Sequence, residues 1–378
     1  MVIIAILTAI IPPLLFNGSW TDWIYTALTF LVMSCPCALV LSVPLAYFAG
    51  IGAASRRGIL FKGGASIEAM KKIKAVVMDK TGTLTRGSFE LKHAEPVTGL
   101  TESALLRLCA SCESYSTHPV AASILSAARK QGLKLQKPEM VEELAGMGIK
   151  AQTNIGEILC GNRRLLVQNG VELPELSDEA GTEVLCAVNK RYAGRLIIDD
   201  EIKPEAEAAM AMLKHKGYTT VMLTGDTLES AEAVAADLGI DEVRARLLPQ
   251  DKLSAMQEVR ARRGGVMFVG DGINDAPVLA GADVGAAMGS GADAAIEAAD
   301  VVFMTSGADA IPQSLAIAAA ANSVSMQNVV FALAIKLAVM VLGLCGFASM
   351  WAAVFADSGV AMLCVLNSIR VLYKKKGL

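Results

Sequence analysis

Three loops of this sequence hold carboxylates, hydroxyls and glycines in combinations that suit phosphate chemistry. Asp79-Lys80-Thr81-Gly82-Thr83-Leu84-Thr85 follows the apolar run Val76-Val77-Met78. Thr224-Gly225-Asp226 follows Thr220 to Leu223, and Gly270-Asp271-Gly272-Ile273-Asn274-Asp275 follows Val266 to Val269. One such loop alone reads as an ordinary turn, where Asp, Gly, Thr and Asn are common. Three at successive strand ends gather hard oxygen ligands that suit Mg²⁺. They also bring backbone N–H groups and a lysine that suit phosphate. Asp79 is then a candidate nucleophile, because a carboxylate can form an acyl phosphate.

A second chemistry sits in apolar surroundings. Cys35-Pro36-Cys37 lies within a long apolar segment. Proline in a helix removes a hydrogen bond and exposes carbonyls, and two flanking thiolates select soft or borderline metal ions. Lys336 and Asp357 interrupt two further apolar segments. Ionisable groups within a membrane are costly, which makes them candidates for function; a lysine near an interface could instead snorkel to it. Cys109 and Cys112 form one C-x-x-C, but no second pair or His partners follow at zinc-site spacing, so the sequence does not mark them as a metal site.

The elements that must position these groups are legible in outline. Of 378 residues, 53% are hydrophobic and 19% charged, below the roughly one quarter charged that is usual for soluble domains. The excess apolar residues crowd 1–16, 22–50, 329–348 and 350–372, lengths near the 20 or so needed to cross a bilayer. Arg56, Arg57 and Lys62 follow the second segment and Lys374, Lys375 and Lys376 the last. The positive-inside rule puts both clusters, and the region between, in the cytoplasm. With 34 basic and 37 acidic residues the net charge is −3, and nothing points to nucleic acid. Eight scattered Cys make no disulfide framework, so the globular part reads as reduced and cytosolic.

From about 73 to 325 short β-branched runs alternate with helical stretches at 204–216, 228–238 and 250–262. That pattern implies an α/β fold with a doubly wound parallel sheet and a ligand site at the carboxyl ends of its strands. The hundred or so residues between the first strand and the rest are too many for a crossover and imply an inserted domain. The expected divisions are 1–54 for membrane helices with the Cys-Pro-Cys segment and 55–89 for a linker and the first part of the α/β domain. An inserted α+β domain at 90–195, the rest of the α/β domain at 196–325, two membrane helices at 326–372 and a basic tail at 373–378 follow.

The Asp79–Thr85 heptapeptide resembles the phosphorylation motif of P-type ATPases, and Thr224–Asp226 and Gly270–Pro277 resemble their other phosphorylation-domain motifs. The resemblance extends over essentially the whole chain and implies a haloacid-dehalogenase-like phosphorylation domain flanked by transmembrane helices. It implies that Asp79 takes the γ-phosphate of ATP, with Mg²⁺ held by Asp79, Asp271 and the Thr81 carbonyl. Lys252 in Leu-Leu-Pro-Gln-Asp-Lys would neutralise charge on the phosphoryl group, and Thr224 would hydrogen-bond it. Asp226 and Asn274 belong to the same motifs and count among the expected cofactor-binding residues. Soluble haloacid-dehalogenase phosphatases usually carry a second Asp where this chain has Thr81, so hydrolysis of the phosphoenzyme should be slow.

The inserted region is similar to the nucleotide-binding domain of heavy-metal ATPases. The likeness assigns Glu113 and His118 to adenine and Gly146, Gly148 and Gly161 to admitting the ring. Within that branch, Lys336 and Asp357 beside Cys35 and Cys37 match the pumps for Zn²⁺, Cd²⁺ and Pb²⁺ rather than those for Cu⁺. A carboxylate beside two thiolates agrees with a divalent ion. The implied protein is an ATP- and Mg²⁺-dependent exporter in a bacterial plasma membrane, contacting lipid, its catalytic domains in the cytoplasm. No actuator Thr-Gly-Glu loop is found, since Gly181-Thr182-Glu183 has another order. The chain therefore reads as the carboxyl-terminal part of such a pump, with a separate actuator-bearing chain as a possible partner. A non-pumping membrane fragment that binds ATP and metal, and a membrane-tethered phosphatase, are the alternatives.

Overall fold

A computed structural model describes residues 2–16, 19–33, 37–116, 118–144, 146–177, 181–344 and 350–373. Strands β1 (Ile59–Phe61) and β2 (Ile73–Asp79) begin one sheet. Strands β3 (Thr85–Pro96), β4 (Met140–Leu144), β5 (Gly148–Thr153), β6 (Gly156–Gly161), β7 (Thr182–Val188) and β8 (Arg191–Ile202) form another. Strands β9 (Thr219–Leu223), β10 (Glu242–Arg244), β11 (Gly265–Gly270), β12 (Val284–Met288) and β13 (Val301–Phe303) return to the first.

The first sheet has the order β1-β13-β12-β11-β2-β9-β10. All its pairs are parallel except the edge pair β1/β13. Strand β2 is central and buried on both faces, as a parallel strand must be. Val76 and Met78 enter one core with Met210, Leu213, Ile311 and Leu315, while Ala75 and Val77 enter the other with Met256, Val259 and Phe268. Helices Ala206–His215, Leu228–Leu238 and Pro249–Arg263 lie between the later strands. This is the doubly wound α/β sheet that the alternation of runs implies.

The second sheet, β3-β8-β7-β6-β5-β4, is antiparallel throughout. Helices Glu102–Cys112 and Pro119–Lys130 close one face over Ile149, Ile158, Leu196 and Ile198. Helix Arg163–Gln168 closes a smaller core of Leu159, Leu165, Leu166 and Leu185. The sheet runs from Thr85 to Ile202, a few residues beyond 90–195 at each end, because its long pair β3/β8 carries the chain in and out.

Apolar helices flank this body. Within the 22–50 segment, read as one element, two helices are described, Trp20–Met33 and Cys37–Ser55; residues 34–36 lie outside the described residues. At the other end Ala310–Leu344 is a single helix of 35 residues. It starts well before the apolar stretch because Ile311, Leu315, Ala318 and Ala321 pack in the core that holds Met78. Ala310–Leu342 and Phe355–Tyr373 are long and apolar enough to cross a membrane, and few side chains in the most apolar stretch of each are buried within the molecule. Asn328 joins the two, donating to the Cys364 carbonyl at 3.2 Å and to Ser368 Oγ at 3.0 Å. Cys35, the side chain of Cys37 and Lys374 to Lys376 lie outside the described residues.

Candidate active and metal-binding sites

Asp79 ends β2 and is buried. Its carboxylate lies where the central strands finish. Lys252, on the first turns of helix Pro249–Arg263, donates to Asp79 Oδ1 at 2.8 Å and to Asp275 Oδ1 at 2.9 Å. Asp271 follows β11 directly, and Asp79, Asp271 and Asp275 each place a ligand oxygen within 4.8 Å of the others. Asp275 holds its position by accepting from Gly272 N–H at 3.2 Å.

The loop between Asp79 and β3 is tightly constrained. Gly82 adopts φ +72°, and a Cβ there would overlap the Asp271 carboxylate, so only glycine lets this loop close on the third one. Lys80 is buried and pairs with Asp226 of the second loop, and it also donates to Ser230 Oγ at 3.1 Å. The Thr85 hydroxyl bridges the Lys80 carbonyl and the Asp200 carboxyl. Lys203 donates to the carbonyls of Gly82 at 2.7 Å, Thr83 at 2.9 Å and Ser306 at 2.8 Å. Thr224 is buried after β9 and accepts from Asp226 N–H at 3.1 Å. The Thr81 and Asn274 side chains are exposed.

Charge in this cluster is out of balance. Burial first, then the neighbouring Asp275 carboxylate, push Asp79 above the usual carboxylate range despite Lys252. Burial and Asp275 push Asp271 the same way. Burial works against the charge on Lys252, but Asp79 and Asp275 outweigh it and hold it above the ordinary lysine value. Three converging carboxylates with more negative charge than their lysines cancel are a fitting donor set for a hard divalent cation. Asp79, Asp271 and Asp275 could hold such a cation.

In the second sheet, Glu113, His118, Gly146, Gly148 and Gly161 line one cavity of about 280 Å³. Gly146 (φ +71°) and Gly148 (φ +137°) need glycine for their backbone, and a Cβ on Gly148 would stand 2.5 Å from the Gly161 Cα. The Asn162 side chain caps helix Arg163–Gln168 through Leu165 N–H and donates to the Gly146 carbonyl at 2.9 Å, which fixes the wall. His118 caps Pro119–Lys130, its Nδ1 accepting from Val120 N–H at 3.3 Å. Glu113 is buried, and burial chiefly, with help from Glu143, pushes it up to about 7.

In the apolar helices Lys336 lies on Ala310–Leu344, and Asp357 lies in the π-helical turn Phe355–Gly359. Such turns frequently mark functional sites in helices. Asp357 Oδ1 is buried with no hydrogen-bond partner.

Sequence reasoning assigned no role to Asp275 or Lys203. Asp275 stood within a quoted loop, but nothing in the spacing showed its carboxylate turning back toward Asp79. Lys203 lies far along the chain from the Gly82 loop it holds.

A family model for haloacid dehalogenase-like hydrolases matches residues 73–283. The chain is 49% identical to a "Cadmium, zinc and cobalt-transporting ATPase" of Bacillus subtilis (strain 168), over 99% of this chain and 54% of that protein. It is 39% identical to a "Zinc/cadmium/lead-transporting P-type ATPase" of Escherichia coli (strain K12), over 98% of this chain and 51% of that one. It thus spans about half the length of the curated relatives it matches. A crystal structure of a zinc-transporting PIB-type ATPase in the E2.Pi state superposes with a TM-score of 0.90 at 38% identity, covering 98% of this chain and 62% of that one. The carboxylate cluster at the strand ends, the inserted second sheet and the flanking apolar helices therefore have one common account: the chain belongs to the haloacid dehalogenase-like hydrolase family and is homologous over nearly its whole length to P-type ATPases.

Proposed function

We propose that this chain is the phosphorylated, membrane-embedded part of a P-type ATPase that exports a divalent thiophilic ion, Zn²⁺, Cd²⁺ or Pb²⁺, across a bacterial plasma membrane. The observation that carries this reading is the Asp79 carboxylate, held by Lys252 beside Asp271 and Asp275 at the strand ends.

ATP is the substrate of the first step. Its base enters the cavity of Glu113, His118, Gly146, Gly148 and Gly161, and its γ-phosphate meets Asp79. Asp79 attacks phosphorus, the bond to the β-phosphate oxygen breaks, and ADP leaves. Lys252 stays beside the reacting oxygens and balances charge as it develops. Mg²⁺ held by Asp79, Asp271 and the Thr81 carbonyl, with Asp275 beside them, would supply positive charge to the phosphate oxygens and offset the crowded carboxylates. Thr224 supplies a hydroxyl to the phosphoryl group. The Lys80–Asp226 pair ties the first loop to the second, and Asn274 stands on the open side of the third. Thr81 carries no acid or base, so the aspartyl phosphate persists long enough for the membrane helices to respond.

The transported ion is read from Asp357, with Cys35 and Cys37 as thiolate ligands and Lys336 to balance the site once the ion departs. The names of the relatives support this choice of cargo. The test is labelling from γ-labelled ATP with Mg²⁺: an acid-stable, hydroxylamine-labile label on the wild type and none on Asp79→Asn is expected. Equal labelling of both would refute the assignment. ATP-dependent uptake of Zn²⁺ into inverted vesicles, lost in Asp357→Ala, tests the cargo.

A further inference from the structure

Four thiols meet behind the nucleotide cavity. Cys109 and Cys112 lie one turn apart on helix Glu102–Cys112 and share a face. Cys160 on β6 and Cys186 on β7 are direct cross-strand partners in the sheet beneath that helix. All four are free and fully buried. Cys112 Sγ reaches the Ile149 carbonyl at 3.7 Å and the Ile158 carbonyl at 3.8 Å on the strands beneath it, and all four cysteines lie in one core. The partners that the C-x-x-C lacks in sequence spacing are supplied by strand pairing.

A single buried cysteine packs as a small apolar residue. Four packed into one core, drawn from a helix and two strands, form an all-sulfur donor set, which discriminates against Mg²⁺ and for thiophilic ions. The sulfurs stand wider apart than a bound ion needs: among the described residues only the Asp79 set has its ligand atoms within 4.8 Å of one another. Closing to about 2.3 Å from one ion requires rotation of the single cysteine χ1 and a small shift of helix against sheet.

That shift has a direct neighbour. Cys112 is followed by Glu113 and Cys160 by Gly161, and both neighbours line the nucleotide cavity. We propose that Cys109, Cys112, Cys160 and Cys186 form a second binding site for a thiophilic divalent cation such as Cd²⁺ or Zn²⁺, whose occupation reshapes the nucleotide cavity and weakens ATP binding. Each thiol that coordinates loses one proton to solvent. The neighbouring Cys160 and burial push the Cys112 thiol up, so the cation must displace its proton. Excess cargo ion in the cytoplasm would then slow the ATP-driven step.

The experiment uses the reduced full chain in detergent with Cys35→Ala and Cys37→Ala, which removes the membrane pair. Cd²⁺ is added to equilibrium, and thiolate-to-Cd²⁺ charge-transfer absorption, proton release and trinitrophenyl-ATP affinity are read together. A saturable absorption band with proton release, and an affinity weakened about fivefold or more, are expected. Both effects disappear when Cys112→Ala and Cys160→Ala are added. Trinitrophenyl-ATP binding without Cd²⁺ shows that this variant is folded, and Cys109→Ala with Cys186→Ala serves if it is not. Absence of the band while Cys109 to Cys186 are intact, or its survival in the cluster variants, overturns the proposal.

Discussion

Lys203 Nζ donates to the Gly82 carbonyl at 2.7 Å and so fastens the turn that carries the candidate nucleophile to the strand that returns from the second sheet. Its other two protons go to the Thr83 and Ser306 carbonyls. All three donors of the ammonium are used. Lys203→Met is expected to leave three carbonyls without this partner and to cost about 3 kcal/mol, read as a lower urea midpoint with unchanged slope. Hydrogen exchange at Thr83 and Leu84 should accelerate in parallel. An unchanged midpoint means the lysine is not an anchor.

Lys252→Ala should slow phosphorylation by ATP about 10²- to 10³-fold, the usual cost of removing one charge-stabilising donor. The same change strands Asp79 and Asp275 without their shared cation. Rapid-quench labelling gives the rate; a loss of less than about threefold would show that Lys252 serves packing alone.

Mg²⁺ should raise the melting temperature of the wild type, because it binds the folded carboxylate cluster. Asp271→Asn should abolish most of that gain. In Mg²⁺-free buffer Asp79→Asn should melt higher than the wild type, since it removes one of the converging charges. A lower melting point for Asp79→Asn without Mg²⁺ contradicts the charge balance.

Glu113 sets a pH dependence whose sign follows from burial. Its folded value of about 7 lies above the ordinary 4.5, so the folded state keeps a proton the unfolded state releases. The stability it contributes is full below pH 4.5 and is lost as pH rises through about 7. Glu113→Gln should flatten stability over that window, by up to about 3 kcal/mol. Equal slopes for wild type and variant in pH-dependent urea unfolding would show that Glu113 is not the group responsible.

Asp357→Ala should bind less Zn²⁺ in detergent yet resist heat better than the metal-free wild type. The carboxylate leaves Oδ1 buried and unpartnered, a cost that the alanine removes. Metal stoichiometry and thermal unfolding measure the two effects. A variant that is both less stable and undiminished in Zn²⁺ binding would assign Asp357 to structure.

The heptapeptide from Asp79 was readable because its turn is local: an aspartate at a strand end, a glycine with positive φ and hydroxyls within a few residues. Helix Leu228–Leu238 was readable for a similar reason, with Thr227 capping its start through Ser230 N–H and Gly239 ending it in the left-handed region. Lys203, Asp275 and the meeting of Cys109 with Cys160 and Cys186 were not, because each depends on which strands lie side by side. Hydropathy located the apolar part of Ala310–Leu344 but not its start. A helix that passes from a protein core into an apolar segment changes its surroundings without changing its period.

The length of that helix has a mechanical consequence. Its residues from Ala310 to Val324 are clamped in the core under β2, and Lys336 lies about 18 Å beyond Val324 at about 1.5 Å per residue. It is a lever with its fulcrum in the domain that carries Asp79. A rotation of about 10° at the fulcrum sweeps Lys336 through about 3 Å, by the same rise per residue, close to the span of one metal–ligand contact. A small rotation at the Asp79 end is thereby geared up into a displacement of Lys336 comparable to a metal–ligand distance.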